Sequence, residues 1–92
     1  MDMINTLGLV ASAFTTFSFA PQVWRTARTK DVSGISFMTY LILTIGLFLW
    51  LVYGVMRMDI PLIVANSVMV ILTGLVLIMK VVYEKPETAL QK

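Results

Sequence analysis

Two side chains of this sequence, Trp50 and Asn66, are suited to hold a neutral polar molecule. An indole offers a flat apolar surface, and an amide offers both hydrogen-bond donors and an acceptor. Trp50 lies six residues before Met56 and Asn66 lies six residues after Ile60, each inside a long uncharged run. If these runs are antiparallel helices, both side chains lie roughly 9 Å below the same boundary. The equal depth favours a binding pair, and it leaves open that Asn66 bridges helices while Trp50 only packs.

A second group of side chains lies about 10 Å further toward that boundary. Tyr53 and Arg57 follow Trp50 at the i+3 and i+7 positions, so the three share one helix face. Asp59 precedes Asn66 by seven residues and shares its face on the next helix. A tyrosine beside a charge pair at this level is suited to close a cavity. The alternative is local and compatible with closure: Asp59 caps the helix that follows it, and Arg57 ends the helix before it.

The absence of cysteine and histidine removes most enzyme and metal chemistry. No disulfide, thiol nucleophile, catalytic triad or zinc site can be built from this chain. No aspartate, glutamate or lysine lies deep in an uncharged run, where ion-coupled transporters usually keep an ionisable group. We therefore predict that the chain is not an enzyme and holds no metal or cofactor, and we expect passive, uncoupled movement of a neutral polar solute.

Three uncharged runs must position these residues, and each is long enough to cross a membrane as a helix. The runs cover Met3–Trp24, Val32–Met56 and Ile60–Met79. At about 1.5 Å per residue, each can cross the roughly 30 Å hydrocarbon core of a bilayer. The chain is 59% hydrophobic and 13% charged, whereas an ordinary soluble domain is about a quarter charged. The sequence therefore predicts an all-α integral membrane protein of three transmembrane helices, in one domain over 1–92 with a polar tail at 84–92.

The basic residues predict how these helices are oriented. Short connections make consecutive helices antiparallel, so the first connection and the C-terminal tail share one face of the membrane. Six basic residues belong to that face: Arg25, Arg28, Lys30, Lys80, Lys85 and Lys92. The other face has Arg57 alone, so the positive-inside rule predicts an outer N-terminus and a cytoplasmic C-terminus. Trp24 and Tyr83 would anchor the inner interface, and we expect no nucleic-acid partner.

Pro21 and Gln22 lie near the end of the first run, where a proline has two possible roles. Proline lacks a backbone donor and crowds the carbonyl of Phe17, four residues earlier. In a helix bundle such a kink can serve as a pivot. It can equally mark the end of the helix at the interface, because Trp24 and Arg25 follow at once. Spacing alone leaves both interpretations open.

The segment from Phe19 to Ser36 resembles the PQ-loop superfamily. A Pro-Gln pair closes the first span, a basic connection follows, and a Ser-Gly-Ile-Ser segment enters the second span. A single three-helix unit of this length, with Trp50 and Asn66 so placed, resembles the bacterial SemiSWEET sugar transporters. The resemblance covers nearly the whole chain except the tail. The Pro-Gln pair alone is typical only of the superfamily, and the other residues make the resemblance more specific.

The SemiSWEET resemblance implies a packing order, an assembly and roles for particular residues. The three helices would pack in the order 1-3-2, and two protomers would associate in parallel around the transport path. Trp50 and Asn66 of each protomer would contact the sugar. The extracellular gate would consist of Tyr53, Arg57 and Asp59, and the hinge of Pro21 and Gln22. The bulky apolar residues that are candidates for an intracellular gate are Phe37, Met38 and Leu43.

The function implied is facilitative transport of a mono- or disaccharide such as glucose or sucrose, by alternating access. The transporter would be a homodimer in the bacterial cytoplasmic (inner) membrane, surrounded by lipid. A PQ-loop transporter of another small solute is the nearest alternative. The alternative of a different class is an accessory membrane subunit that does not transport. Which sugar is moved, and in which direction, stays open at this point.

Overall fold

Three helices make up the computed structural model, which describes residues 2–84 of the chain. Helix α1 spans Met3–Thr29, α2 spans Phe37–Arg57 and α3 spans Ile60–Tyr83. Each helix is long and apolar enough to cross a membrane. The predicted all-α fold with three membrane-spanning helices is confirmed. Most of the predicted polar tail at 84–92, with Lys85 and Lys92, lies outside the described residues.

Polar side chains fix where each helix begins. Asp2, Ser36 and Asp59 precede the three helices, and each accepts a hydrogen bond from the backbone N–H three residues later, at 2.7, 3.3 and 3.2 Å. Helices α1 and α2 are followed by the C-terminal caps Lys30 and Met58, whose backbones are left-handed, with φ of 58° and 54°. Because Asp59 follows Met58 directly, α2 is joined to α3 by a tight turn.

The helix boundaries differ from the uncharged runs of the sequence. Helix α1 continues beyond Trp24 to Thr29, so most of the predicted basic connection is helical. Helix α2 begins only after Ser36, although the uncharged run begins at Val32. Helix α3 continues beyond the end of its run and includes Lys80. A charged residue ends a hydrocarbon-like run, whereas a helix ends where capping groups satisfy its backbone, so the two kinds of boundary need not coincide.

The helices pack in the order 1-3-2, because α3 lies between α1 and α2 and contacts both. Gly8 of α1 allows the close approach to α3, since a Cβ added there would lie 2.7 Å from Cβ of Pro61. Gly54 of α2 lies against Leu62, where an added Cβ would come within 3.3 Å of the side chain. Within residues 2–84, the backbones of α1 and α2 do not contact each other. The packing order implied by the resemblance is therefore confirmed.

The two ends of the bundle are packed differently. We call one end the basic end, where the α1–α2 connection (residues 30–36) meets the last turns of α3. We call the other end the turn end, where the start of α1 lies beside the α2–α3 turn formed by Met58 and Asp59. A buried apolar cluster closes the basic end, consisting of Val23, Val32, Val76 and Met79. Phe19 and Tyr40 extend this cluster from α1 to α2, with ring centroids 6.2 Å apart. The described residues form no comparable apolar cluster at the turn end.

Candidate functional site

Asn66 is a buried amide in the half of α3 nearer the turn end, and 7% of its surface is exposed. Its Nδ2 group donates a hydrogen bond to the carbonyl of Leu62 within the same helix, at 2.9 Å. No other described residue forms a hydrogen bond with its side chain. An amide carries two donor hydrogens and one acceptor oxygen, so one N–H and the oxygen of Asn66 are available to a ligand.

Asn66 lines a cavity of about 290 Å³ between α1 and α3. Three hydroxyl side chains of α1 line the same cavity, and they are Ser12, Thr15 and Thr16. Ser12 and Thr15 donate their own hydrogens to carbonyls of α1, at 2.8 and 3.1 Å, so their oxygens can still accept from a ligand. The remaining lining residues are neutral: Ala11, Leu47, Ala65 and Met69. The cavity therefore offers donors and acceptors without a formal charge.

The three hydroxyls were not among the predicted site residues. Their spacing of i, i+3 and i+4 places Ser12, Thr15 and Thr16 on one face of α1. This spacing was a signal in the sequence, but threonines and serines are also common filler in membrane helices. What distinguishes them is that their face lies toward α3, which only the packing order reveals.

A second cavity, of about 300 Å³, adjoins the first on the side of the turn end. Both cavities include Ser12 and Ala65, and the second extends past Gly8 to Asp59. Together they form one groove along the α1–α3 interface, here called the α1–α3 groove. Seven residues of helix separate Asp59 from Asn66, which corresponds to about 10 Å along the groove. The groove therefore connects the turn end with the buried amide.

Trp50 lies on α2, outside the α1–α3 groove. The residue is 57% exposed, and its ring packs edge-on against that of Tyr53, with centroids 5.5 Å apart and ring planes at 88°. Trp50 and Tyr53 line a separate cavity of about 470 Å³ together with Gly46 and Leu49. Within one protomer, the structure therefore does not bring Trp50 to the cavity that contains Asn66.

Tyr53, Arg57 and Asp59 lie toward the turn end, around the α2–α3 turn. Arg57 is the last residue of α2, and Oδ1 of Asp59 accepts the N–H of Leu62 at 3.2 Å. The capping role that the sequence suggested for Asp59 is thus confirmed. Within residues 2–84, Arg57 and Asp59 form no ion pair with each other, and both are exposed. Their role as a gate stays a prediction.

Pro21 and Gln22 lie inside α1, and the interpretation of Pro21 as a helix terminus is wrong. The helix continues to Thr29, because its backbone is capped at Lys30 rather than near Trp24. Pro21 and Gln22 are exposed. Since proline has no N–H, the ordinary helical hydrogen bond to the carbonyl four residues earlier cannot form at this position. The proposed hinge stays a prediction, located at an interruption in the hydrogen bonding of a continuous helix.

The candidates for an inner gate lie in the first turns of α2, toward the basic end. Phe37, Met38 and Leu43 are 39%, 60% and 40% exposed. The structure of one protomer does not single out one of them. Of the two predicted interfacial anchors, Trp24 is 66% exposed, and the ring of Tyr83 lies 5.7 Å from Nζ of Lys30.

A line of polar residues on the inner face of α3 was only partly predicted. Asp59, Asn66, Thr73 and Lys80 are each seven residues apart, and we call them the polar line. The last three are buried. The hydroxyl of Thr44 in α2 hydrogen-bonds that of Thr73 at 2.9 Å, near the middle of the bundle. The sequence suggested the shared face of Asp59 and Asn66 but assigned Lys80 to the basic face alone.

The chain matches a known family over almost its whole length. Residues 4–88 match the MtN3_slv family, described as a sugar efflux transporter for intercellular exchange. The sugar transporter SemiSWEET of Escherichia coli is 42% identical over 82 residues, which cover 89% of this chain and 92% of that protein. The sugar transporter SemiSWEET of Bradyrhizobium diazoefficiens is 38% identical over 81 residues, covering 88% of this chain and 94% of that protein.

A solved structure shows the same fold. The crystal structure of a SemiSWEET in the inward-open conformation has a TM-score of 0.87 and 38% identity to this chain, covering 99% of this chain and 98% of that one. The relatives are named as transporters, which is a non-enzymatic function, so the prediction that the chain is not an enzyme is confirmed. The 1-3-2 helix order and these matches lead to the same conclusion: the chain belongs to the SemiSWEET group of the SWEET sugar-transporter family.

Proposed function

We propose that this protein is a facilitative sugar transporter that works by alternating access as a parallel homodimer. The buried amide of Asn66, beside three hydroxyl side chains in an uncharged cavity, carries the proposal. Each hydroxyl group of a sugar both donates and accepts a hydrogen bond, and this cavity offers partners of both kinds. The relatives named as sugar transporters support this class of substrate.

In this proposal, sugar transport is not coupled to a proton or ion gradient, because the site lacks the ionisable group that such coupling requires. Within the described part of the chain, no ionisable side chain lines the cavity that contains Asn66. Proton- and ion-coupled transporters keep such a group within the membrane, where its charge state is linked to the conformation. Asp59 is the nearest acidic residue along the groove, and it lies at the mouth of that groove as the cap of α3. Sugar therefore moves down its own gradient.

Two protomers are required because one protomer leaves its candidate residues on different surfaces. Trp50 is exposed on α2, while Asn66 is buried beside α1. Three helices in a row do not enclose an aqueous path. A parallel two-fold axis would place two copies of each residue around one path, and the indole rings would stack on the apolar C–H faces of a sugar.

The gate and the hinge complete the proposed cycle. Tyr53, Arg57 and Asp59 would close the path at the turn end, where both charges are exposed and not paired within the described part of one protomer. A candidate among Phe37, Met38 and Leu43 would close it near the basic end. Bending of α1 at Pro21 and Gln22 would alternate the two closures, because the helix lacks one hydrogen bond there.

The turn end faces the outside of the cytoplasmic membrane in this proposal, as the positive-inside rule requires for a protein whose basic residues gather at the other end. The chain has no cysteine, so a single introduced thiol reports on one position. In spheroplasts, a membrane-impermeant maleimide should label Met58→Cys, which is 82% exposed at the turn end. It should label Ser33→Cys, in the α1–α2 connection, only after lysis. The reverse pattern would overturn the orientation.

Uptake of radiolabelled glucose and sucrose into proteoliposomes tests the function. The wild-type protein should take up at least one of them with saturation, and an imposed pH gradient should not accelerate uptake. Asn66→Ala should lower uptake at least about tenfold, since one hydrogen bond to substrate is worth roughly 1 kcal/mol or more and two copies are lost. Trp50→Ala should lower uptake similarly, while Trp24→Ala, a matched control outside the site, should retain it.

The assembly state is measured in parallel, so that loss of uptake can be assigned to the site. Both site variants should remain dimeric by light scattering in detergent. Normal uptake by Asn66→Ala and Trp50→Ala would remove these residues from the site. Absence of uptake of either sugar by a folded wild-type dimer would favour another solute, and stable association with a larger membrane protein would favour an accessory role.

A further inference from the structure

Lys80 is the one charged side chain among residues 2–84 that is buried, with 1% of its surface exposed. Its ammonium group donates a hydrogen bond to the carbonyl of Val32 in the α1–α2 connection, at 3.0 Å. Oε1 of Glu84 lies 2.7 Å from the same nitrogen. Burial of a cation is unfavourable unless it is paired and hydrogen-bonded, so these two contacts explain how the site tolerates Lys80.

Stabilisation of α3 alone does not explain this arrangement. A lysine in the last turn of a helix interacts favourably with the helix dipole from solvent, without being buried. Glu84 lies at the C-terminal cap of α3, where a negative charge opposes the dipole. The acid is therefore better explained as the counter-ion of Lys80. Because Lys80 is buried, its ammonium group can contact the carbonyl of Val32, and this contact joins α3 to the α1–α2 connection.

The α1–α2 connection is held to α3 by two further contacts. The side chain of Val32 is 4% exposed and belongs to the apolar cluster with Val76 and Met79. The ammonium group of Lys30 lies over the ring of Tyr83, 5.7 Å from its centroid. The four residues of α3 that hold the connection occupy positions i, i+3, i+4 and i+7 on one helix face: Val76, Met79, Lys80 and Tyr83.

The connection itself is ordered by its own hydrogen bonds. The carbonyl of Val32 accepts the N–H of Ile35 at 3.1 Å in addition to the Lys80 ammonium, so both of its lone pairs are used. The carboxylate of Asp31 accepts the backbone N–H and the hydroxyl of Ser33, at 3.1 and 2.7 Å. These hydrogen bonds restrict the conformation of the connection.

We infer that Lys80 is a positioning residue that fastens the α1–α2 connection to the end of α3, so that both move as one rigid body during transport. Val23 belongs to the same apolar cluster and follows Pro21 by two residues. The part of α1 beyond Pro21 therefore stays with α3, and the N-terminal part of α1 bends relative to it. This inference rests on the proposed alternating-access function and adds which parts of the protomer move together.

Hydrogen exchange in the dimer tests the fastening without any substrate. Lys80→Met combined with Glu84→Gln removes both charges, so no unpaired ion is left buried. In this double variant the backbone amides of residues 30–36 should exchange about tenfold faster than in the wild type, because the connection has lost the hydrogen bond from Lys80 to Val32. Lys80→Arg keeps the charge and the donors and should restore slow exchange. Unchanged exchange in the double variant would overturn the inference.

A cross-link tests whether the two parts remain together through the cycle. Lys30→Cys and Tyr83→Cys place two thiols in the cysteine-free chain on either side of the contact, and a flexible bis-maleimide can join them. Uptake should survive the cross-link at more than half the rate of the same variant without it. Loss of uptake on cross-linking would show that this contact opens in each cycle, which would overturn the rigid-body inference.

The transport kinetics separate positioning from binding. In the Lys80→Met and Glu84→Gln double variant, the maximal rate of uptake should fall several-fold while KM stays within about twofold, because the Asn66 cavity is intact. A rise in KM at an unchanged maximal rate would overturn the positioning role. Faster exchange in a protein that moves no sugar would leave the fastening in place and contradict only the proposed function, so the two failures can be distinguished.

Discussion

The basic end and the turn end of the bundle are held together by different interactions. At the basic end the packing is by side chains: an apolar cluster, and the ion pair of the buried Lys80 with Glu84, join α1, the connection and α3. At the turn end, the helices approach through their backbones, at Gly8 and Pro61 and at Gly54 and Leu62. Small residues at these positions let the helix backbones approach each other closely. The α1–α3 groove opens at the turn end, beside the close approach of Gly8 to Pro61.

The polar line of α3 shows the same difference along one helix. Asp59 and Asn66, nearer the turn end, hydrogen-bond only to backbone groups of α3 itself within the described residues. Thr73 and Lys80, nearer the basic end, bond to α2 and to the α1–α2 connection. The polar groups of α3 nearer the basic end therefore hold other parts of the chain in place, whereas those nearer the turn end remain available for a ligand.

Among substitutions that test this difference between the two ends, Gly8→Ala should lower the free energy of unfolding the most. In Gly8→Ala the new methyl group would lie 2.7 Å from Cβ of Pro61, inside van der Waals contact with a rigid ring, so α1 must move away from α3. We expect a loss of about 1–3 kcal/mol, as for other overpacked sites. The measurement is the midpoint of thermal unfolding in detergent, followed by circular dichroism.

Two glycines serve as matched controls for Gly8→Ala. In Gly54→Ala the added methyl would lie 3.3 Å from Cβ, Cγ and Cδ2 of Leu62, so a shift of only a few tenths of an ångström is needed, and alanine favours the helix by up to about 1 kcal/mol. In Gly74→Ala the added methyl would meet no atom of residues 2–84 within 4 Å. Both should leave the midpoint nearly unchanged or raise it. An equal loss in all three would mean that the turn end is not held by the approach of α1 to Pro61.

Substitution of Thr73 should have a smaller effect. Thr73→Val keeps the shape of the side chain and removes the hydrogen bond to Thr44. Hydrogen bonds between membrane helices contribute about 0.6 kcal/mol on average, so the midpoint should fall only slightly. Thr39→Val, at an exposed position of α2, is the matched control and should have no effect. If Thr73→Val lowered the midpoint more than Gly8→Ala does, the strongest contact between helices would lie in the middle of the bundle. That result would contradict the comparison of the two ends.

The number and type of helices could be predicted from the sequence, because membrane spans are decided by length and apolar composition. The positions of Asp59 as a cap and of Trp50 and Tyr53 on one face of α2 followed from spacing alone. The bounds of α1 could not be predicted in this way, because Arg25 and Arg28 ended the apolar run while the backbone continued as helix to Thr29.

The candidate site was harder to predict, because it depends on which helix faces which. The pairing of Trp50 with Asn66 rested on equal depth, yet equal depth does not place two side chains in one cavity, and within one protomer they line different ones. Thr15 and Thr16 join the site only because their face of α1 lies against α3. Lys80 looked like an interfacial cation, and its burial depends on a contact with Val32, 48 residues away in the sequence.

The central position of α3 also determines when the protomer can assemble during its synthesis. The helix that contacts both others is the last of the three in the chain. Helices α1 and α2 enter the membrane earlier, and within residues 2–84 they have no backbone contact with each other. Until α3 is inserted, α1 and α2 lack the helix against which both pack, so the protomer can complete its fold only after its last span has been synthesised.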